Sequence, residues 1–273
     1  CMKNLFDLSD KTILITGAAG ILGRQHANAV ASHGATVILT DVNIEGVQRL
    51  RDELNQKYCK ETVVAEYMNV LDKSSIEKVI QKYDKIDVLI NNAAKDTKVE
   101  KKGDMSPSVR FETMSLDSWT GDMKVGLDGC FLCSQAVVNK MLKTGGGNII
   151  NIASDLAINA PDQRIYKKND IEEDKQHVKP VTYSVSKWAL LGLTKYMSTY
   201  FADKNIRVNS LSPAGIYNKS LPDDFVQKIT SLIPMGRMAN SGEYEGAIVF
   251  LCSDASEYMT GANIIMDGGR SVW

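Results

Sequence analysis

Residues 12–23 read TILITGAAGILG, and the fold is decided there. Residues 12–16 form an unbroken run of β-branched and aliphatic side chains. The run lacks the polar alternation of a half-exposed strand, so it suits a strand buried on both faces of a parallel sheet. Gly17, Gly20 and Gly23 follow at intervals of three, with Ile21 and Leu22 between them, and a helical pattern opens behind. Glycines at such a junction permit a tight turn, close approach of backbone to a pyrophosphate, and close packing of helix on strand. The helix N-terminus adds free N–H groups and the positive end of the helix dipole. Gly17, Gly20, Ile21, Leu22 and Gly23 are therefore candidate nucleotide-binding residues.

The same rhythm continues outward. Short apolar runs at 36–40, 63–67, 88–90, 148–152 and 207–211 alternate with helical patterns at 24–33, 44–57, 74–82, 118–143 and 183–203. Repeated β-then-α order predicts an α/β fold, a Rossmann-like doubly wound parallel sheet with helices on both faces. With no repeat and no Pro/Ser-rich linker, residues 1–273 are expected to form a single domain. Asp41 ends the second run, about 20 residues past the glycines, where a carboxylate hydrogen-bonds ribose hydroxyls and repels a 2′-phosphate. No Arg or Lys stands inside the glycine loop or directly after Asp41. The expected cofactor is accordingly NAD rather than NADP; a helix-capping Asp before Ile44 is the plainer alternative.

Composition excludes other classes. Lys and Arg number 32 against 33 Asp and Glu, a net charge of -1, which gives no electrostatic footprint for nucleic acid or an anionic membrane. The longest apolar runs fall far short of the ~20 residues that span a bilayer. No leader pattern opens the chain, so a cytoplasmic location is expected. Cys130 and Cys133 spell C-x-x-C inside an apolar helical stretch, with no second ligand pair, and read as core rather than metal; no metal is expected.

Tyr183-Ser184-Val185-Ser186-Lys187 carries the chemistry. On a helix, residues i and i+4 share a face. A tyrosine of ordinary pKa ~10 becomes a useful acid or base when a nearby cation favours its phenolate. Together with the glycine loop, Asn91-Asn92-Ala93-Ala94 after a strand and Ser154 after another, the chain resembles the short-chain dehydrogenase/reductase family. The late stretches Arg207-Val208-Asn209, Ser212-Pro213-Ala214-Gly215, Pro234-Met235-Gly236-Arg237 and Met266-Asp267-Gly268-Gly269 extend the resemblance over residues 6–269.

The resemblance implies about seven parallel strands and hydride transfer between a nicotinamide cofactor and a secondary alcohol or ketone. It also implies a homotetramer or homodimer built on the two long helices. It makes Tyr183 the proton donor and acceptor, Lys187 the residue that favours its phenolate and holds the nicotinamide ribose, and Ser154 the hydroxyl that orients the substrate oxygen. Asn69 and Val70 fall at the adenine, Asn91 and Ala93 over the adenosine half, and Pro213, Gly215 and Ile216 beside the nicotinamide. A weaker similarity, in Ser154-Asp155-Leu156 and Ala160-Pro161-Asp162-Gln163-Arg164, points to reductases of bacterial flagellin-modification and surface-sugar pathways. A sugar derivative is thus a candidate substrate.

Three departures stand out. Gly126 replaces a family Asn that supports a helix irregularity and a relay water; its backbone carbonyl still offers that role. The G-x-x-G-x-x-G spacing is similar to the sugar-nucleotide branch, and Asn69 replaces a common acid. A catalytically impaired nucleotide-binding protein and a nucleotide-sugar epimerase or dehydratase remain alternative readings. The Ser154–Tyr183 interval is long, so the polar insertion 157–180 is expected beside the catalytic pair, where Arg164, Lys167, Lys168, His177 and Lys179 are candidates for an anionic substrate. Residues 95–118, including the charged run 98–104, read as irregular. A helical lid is expected over 219–233, within 216–240. An amphipathic helix is expected over 243–254, with Ala247, Ile248, Phe250 and Leu251 inward.

Overall fold

The computed structural model describes residues 4–95 and 110–273. The strands are β1 (Thr12–Thr16), β2 (Thr36–Asp41), β3 (Val63–Tyr67), β4 (Val88–Asn91), β5 (Gly147–Ile152), β6 (Ile206–Pro213) and β7 (Asn263–Met266). They form one sheet in the order β3-β2-β1-β4-β5-β6-β7, and every pairing is parallel. β7 is four residues long, too short for its apolar residues 264–266 to read as a strand from sequence.

The helices are α1 (Ile21–Ser32), α2 (Ile44–Tyr58), α3 (Lys73–Gln81), α4 (Leu116–Met123), α5 (Gly129–Thr144), α6 (Val181–Tyr200), α7 (Asp223–Thr230) and α8 (Glu245–Cys252). Strand side chains alternate between faces. Ile13 and Ile15 therefore enter a core built with α1, α2 and α8, while Leu14 enters a second core with α3, α5 and Met197 of α6. Both faces are dry, which explains the unbroken apolar runs.

Three expectations change. The helix expected over 118–143 is interrupted by a π-helical turn at Lys124–Asp128, where the Gly129 N–H reaches back five residues to the Lys124 carbonyl. Such turns insert one residue and are absent from periodicity counts. α8 buries Ile248, Val249, Leu251 and Cys252, with Ala247 and Phe250 only partly buried, because contact with both α1 and the sheet covers more than one stripe. The 157–180 segment is not a plain loop: it carries 3-10 turns at Gln163–Tyr166 and Glu173–Lys175. Its Ile165 forms a satellite core with Phe225, Ile229, Ile233 and Met238, so the segment packs on α7. The charged run 98–104 lies outside the described residues.

Candidate active site

The carboxyl ends of the parallel strands collect the candidate residues along one edge, at the point where strand order reverses between β1 and β4. Gly17 leaves β1 with φ of +64°, a region costly for residues with a Cβ. A Cβ there would stand 2.7 Å from the Ala93 backbone, and one at Gly23 would stand 2.4 Å from the Gly17 carbonyl oxygen. The loop is thus fixed by close packing against the end of β4. Gly20 precedes α1, which has no side-chain cap and no acid in its first turn. Ile21 is exposed. An uncapped helix start facing solvent suits the pyrophosphate of a dinucleotide.

Asp41 ends β2. Its Oδ2 accepts the Ala19 N–H at 3.0 Å and its Oδ1 the Asn43 N–H at 2.9 Å. Each carboxylate oxygen keeps a lone pair for a ribose hydroxyl. Arg24, the cation nearest the loop in sequence, is paired with Glu53 at 2.5 Å. Asn69 Oδ1 takes the Leu71 N–H, and Val70 turns its side chain into the second core, leaving its backbone for any cofactor contact.

The Asn91 side chain points inward rather than at the cofactor edge. Its Nδ2 donates to Ser134 Oγ and to Asn151 Oδ1, both at 2.9 Å, and Asn151 Nδ2 donates to Thr194 Oγ1 at 2.9 Å. That buried network ties β4 and β5 to α5 and α6. Its neighbour Asn92, not singled out from sequence, grips the loop: Nδ2 donates to the Thr16 and Gly17 carbonyls at 3.0 and 2.9 Å. Thr16 Oγ1 in turn accepts the Asn92 and Ala93 N–H groups, each at 3.0 Å. A paired asparagine after a strand was the only sequence signal for this.

The catalytic candidates meet beside the end of β5. Lys187 is buried and its Nζ donates to the Ile152 carbonyl at 2.8 Å. Two residues on, Ser154 Oγ donates to Asp155 Oδ1 at 2.9 Å and accepts the Leu156 N–H at 3.1 Å. Asp155 is held from below by Arg270, at 2.7 Å, with both side chains buried. Tyr183 lies one turn before Lys187 on α6, and lines a small recess with Lys95, Asp122, Pro180, Thr182 and Ser186. Thr182 Oγ1 donates to Asp122 at 3.0 Å, and Lys95 pairs with Asp122 at 2.8 Å, so α4 is tied to the start of α6. Gly126 sits in the π-helical turn packed against α6. Pro213 closes β6, the Tyr244 hydroxyl donates to the Ala214 carbonyl at 2.9 Å, and Ile216 bridges to Ala239.

The insertion's basic residues divide. Arg164 pairs with Asp162 and Lys167 with Glu173, while the Lys168 N–H is held by Gln176. Both ring nitrogens of His177 are buried. Lys179 reaches Tyr183: its Nζ stands 3.7 Å from the centroid of the ring. Cys130 and Cys133 are buried on α5, and burial pushes the Cys130 thiol up to about 12 and raises that of Cys133.

A family model described as short chain dehydrogenase matches residues 11–166, and one described as Enoyl-(Acyl carrier protein) reductase matches residues 172–271. The D-threitol dehydrogenase of Mycolicibacterium smegmatis is 31% identical over 275 residues, 98% of this chain and 95% of its own. A 3-oxoacyl-(acyl-carrier-protein) reductase of Thermotoga maritima is 34% identical over 270 residues, 96% and 98% of the two chains. Among solved structures, a short-chain type dehydrogenase/reductase from Mycobacterium marinum is similar with a TM-score of 0.83 and 30% identity over 99% of each chain.

Proposed function

The chain belongs to the short-chain dehydrogenase family, and on that premise we propose an NAD-dependent oxidoreductase that interconverts a secondary alcohol and a ketone on a polyol or sugar-derived substrate. The observation that carries this reading is that α6, which bears Tyr183 and Lys187 one turn apart, packs against the turn that Ser154 opens, with Lys187 fixed by the Ile152 carbonyl. With the pyrophosphate of the dinucleotide at the glycine loop, the nicotinamide would accept or return a hydride. Tyr183 takes the proton of a substrate hydroxyl or returns it to a carbonyl. The Lys187 cation favours the phenolate form, and Ser154 orients the substrate oxygen by turning its hydroxyl from Asp155 toward it. Asp41 supports NAD, since a 2′-phosphate would face its carboxylate. The D-threitol-oxidising relative supports a polyol. Residues 216–240, packed on the insertion through the satellite core, would cover the substrate.

The test follows reduced-cofactor absorbance with NAD and NADP over polyols, sugar acids, simple ketones and a 3-oxoacyl thioester, with Tyr183→Phe as control. Turnover with NAD is expected to fall by about 10²–10⁴ in Tyr183→Phe, the range for loss of a general acid or base. Turnover confined to NADP would overturn the role given to Asp41. Absence of turnover across the panel, with NAD still bound, would favour the impaired reading that Gly126 motivates.

A further inference from the structure

The catalytic tyrosine has a cation on each side of it along the chain. Lys187 follows it by four residues, and Lys179 precedes it by four. Lys179 Nζ stands 3.7 Å from the Tyr183 ring centroid, nearer than Lys187 Nζ at 5.8 Å. Its placement is built rather than incidental. The Lys179 N–H donates to Gln163 Oε1 at 2.9 Å, and its carbonyl accepts from Gln163 Nε2 at 3.1 Å. One side-chain amide thus clamps both backbone groups. Gln163 opens a 3-10 turn anchored by Ile165 in the satellite core. Pro180 follows and starts α6, and a residue before proline is confined to extended backbone. The insertion, the lid packing and the helix start all converge on where Lys179 lies.

We propose that Lys179 is a second electrostatic positioning residue for the reaction, stabilising the Tyr183 phenolate from over the ring while Lys187 acts from farther off, 5.8 Å from the same centroid. The inference rests on the reading of Tyr183 as the acid/base group. A cation over an aromatic face is attracted by the ring's π density, and that density rises when the phenol gives up its proton. The attraction is therefore greater for the phenolate. Other charged groups among the described residues near Tyr183 have partners of their own. Asp122 is engaged by Lys95 and Thr182 across the small recess, and Asp155, on the turn packed against α6, is engaged by Arg270. His177, two residues before Lys179, has both ring nitrogens buried.

The experiment needs neither cofactor nor substrate. The ultraviolet difference titration of tyrosine, wild type minus Tyr183→Phe, isolates the midpoint of this one phenol. In Lys179→Met that midpoint is expected to rise by about one pH unit, the low end of what a charge within ~4–6 Å produces. Lys179→Arg, which keeps the cation, is expected to hold it, and Gln163→Leu, which frees the backbone clamp, is expected to raise it by less. An unmoved midpoint in Lys179→Met overturns the proposal, whether or not turnover falls. A raised KM for anionic substrates with the midpoint unmoved also overturns it and makes Lys179 a substrate anchor. The two readings fail separately. Full turnover in Tyr183→Phe removes the acid/base role whatever the titration shows, whereas an inactive Tyr183→Phe with an unmoved Lys179→Met midpoint removes only this inference.

Discussion

A Cβ added at Gly126 would lie 3.8 Å from Ser186, ordinary contact distance, so the π-helical turn has room for a Cβ there without displacing α6. The backbone carbonyl at 126 is present with either residue. We expect Gly126→Asn to change kcat by less than about threefold, under about 0.7 kcal/mol in barrier; a large acceleration, read in steady-state turnover and its pH profile, would show that the side chain is needed for the relay. His26 presents a different single-residue effect. It is fully buried in α1, neither ring nitrogen has a hydrogen-bond partner, and burial pushes its pKa down to about 3. Between that value and an unfolded pKa of about 6.5, only the unfolded chain takes the proton. Stability is complete above about pH 6.5 and falls as pH drops, by up to about 1.4 kcal/mol per unit. Urea midpoints measured across that window in His26→Leu should show a flatter acid limb. The histidine's burial was invisible in sequence, because α1 packs against both α8 and the sheet and leaves no polar side inward of Gln25.

Elements were legible where one force set them. β1, β2, β4 and β5 announce themselves because burial on both faces demands mostly apolar residues without polar alternation. The turn after β1 is legible because a positive φ and backbone contact demand glycine. The π-helical turn was signalled only by the resemblance, which implied an irregularity at Gly126, and the pairing of the tail was not, since it depends on contact with a distant segment. Arg270 begins a 3-10 turn at the tail, Arg270–Val272, and reaches Asp155 on the turn that bears Ser154. Removing one partner of a buried pair strands a charge and costs about 3–5 kcal/mol. Arg270→Met is expected to lower the thermal midpoint and weaken turnover together, and adding Asp155→Asn should recover most of the stability. Recovery of neither would show that the pair does not anchor the tail.

At the scale of the whole molecule, Phe131 of α5 and Trp188, Tyr196 and Tyr200 of α6 are exposed, the last two stacked on each other. Apolar groups gathered this way mark association sites, and pairing of like faces gives closed dimers. Sedimentation should show a dimer or tetramer that Trp188→Glu with Tyr196→Glu shifts toward monomer; a wild type already monomeric would overturn this. No helix among the described residues is long and apolar enough to cross a membrane. The sequence by itself determined the sheet class, the glycine turn after β1, Asp41 at the end of β2 and the Tyr183–Lys187 pair, because each is a local pattern tied to a local backbone requirement. Tertiary structure alone decided that Asn91 faces the core while Asn92 grips the loop, that Arg270 holds Asp155, and that Lys179 of the insertion stands over the Tyr183 ring. The reason is physical. A side chain's partner across many residues is fixed by which elements pack and at what register, and no short stretch of sequence encodes that.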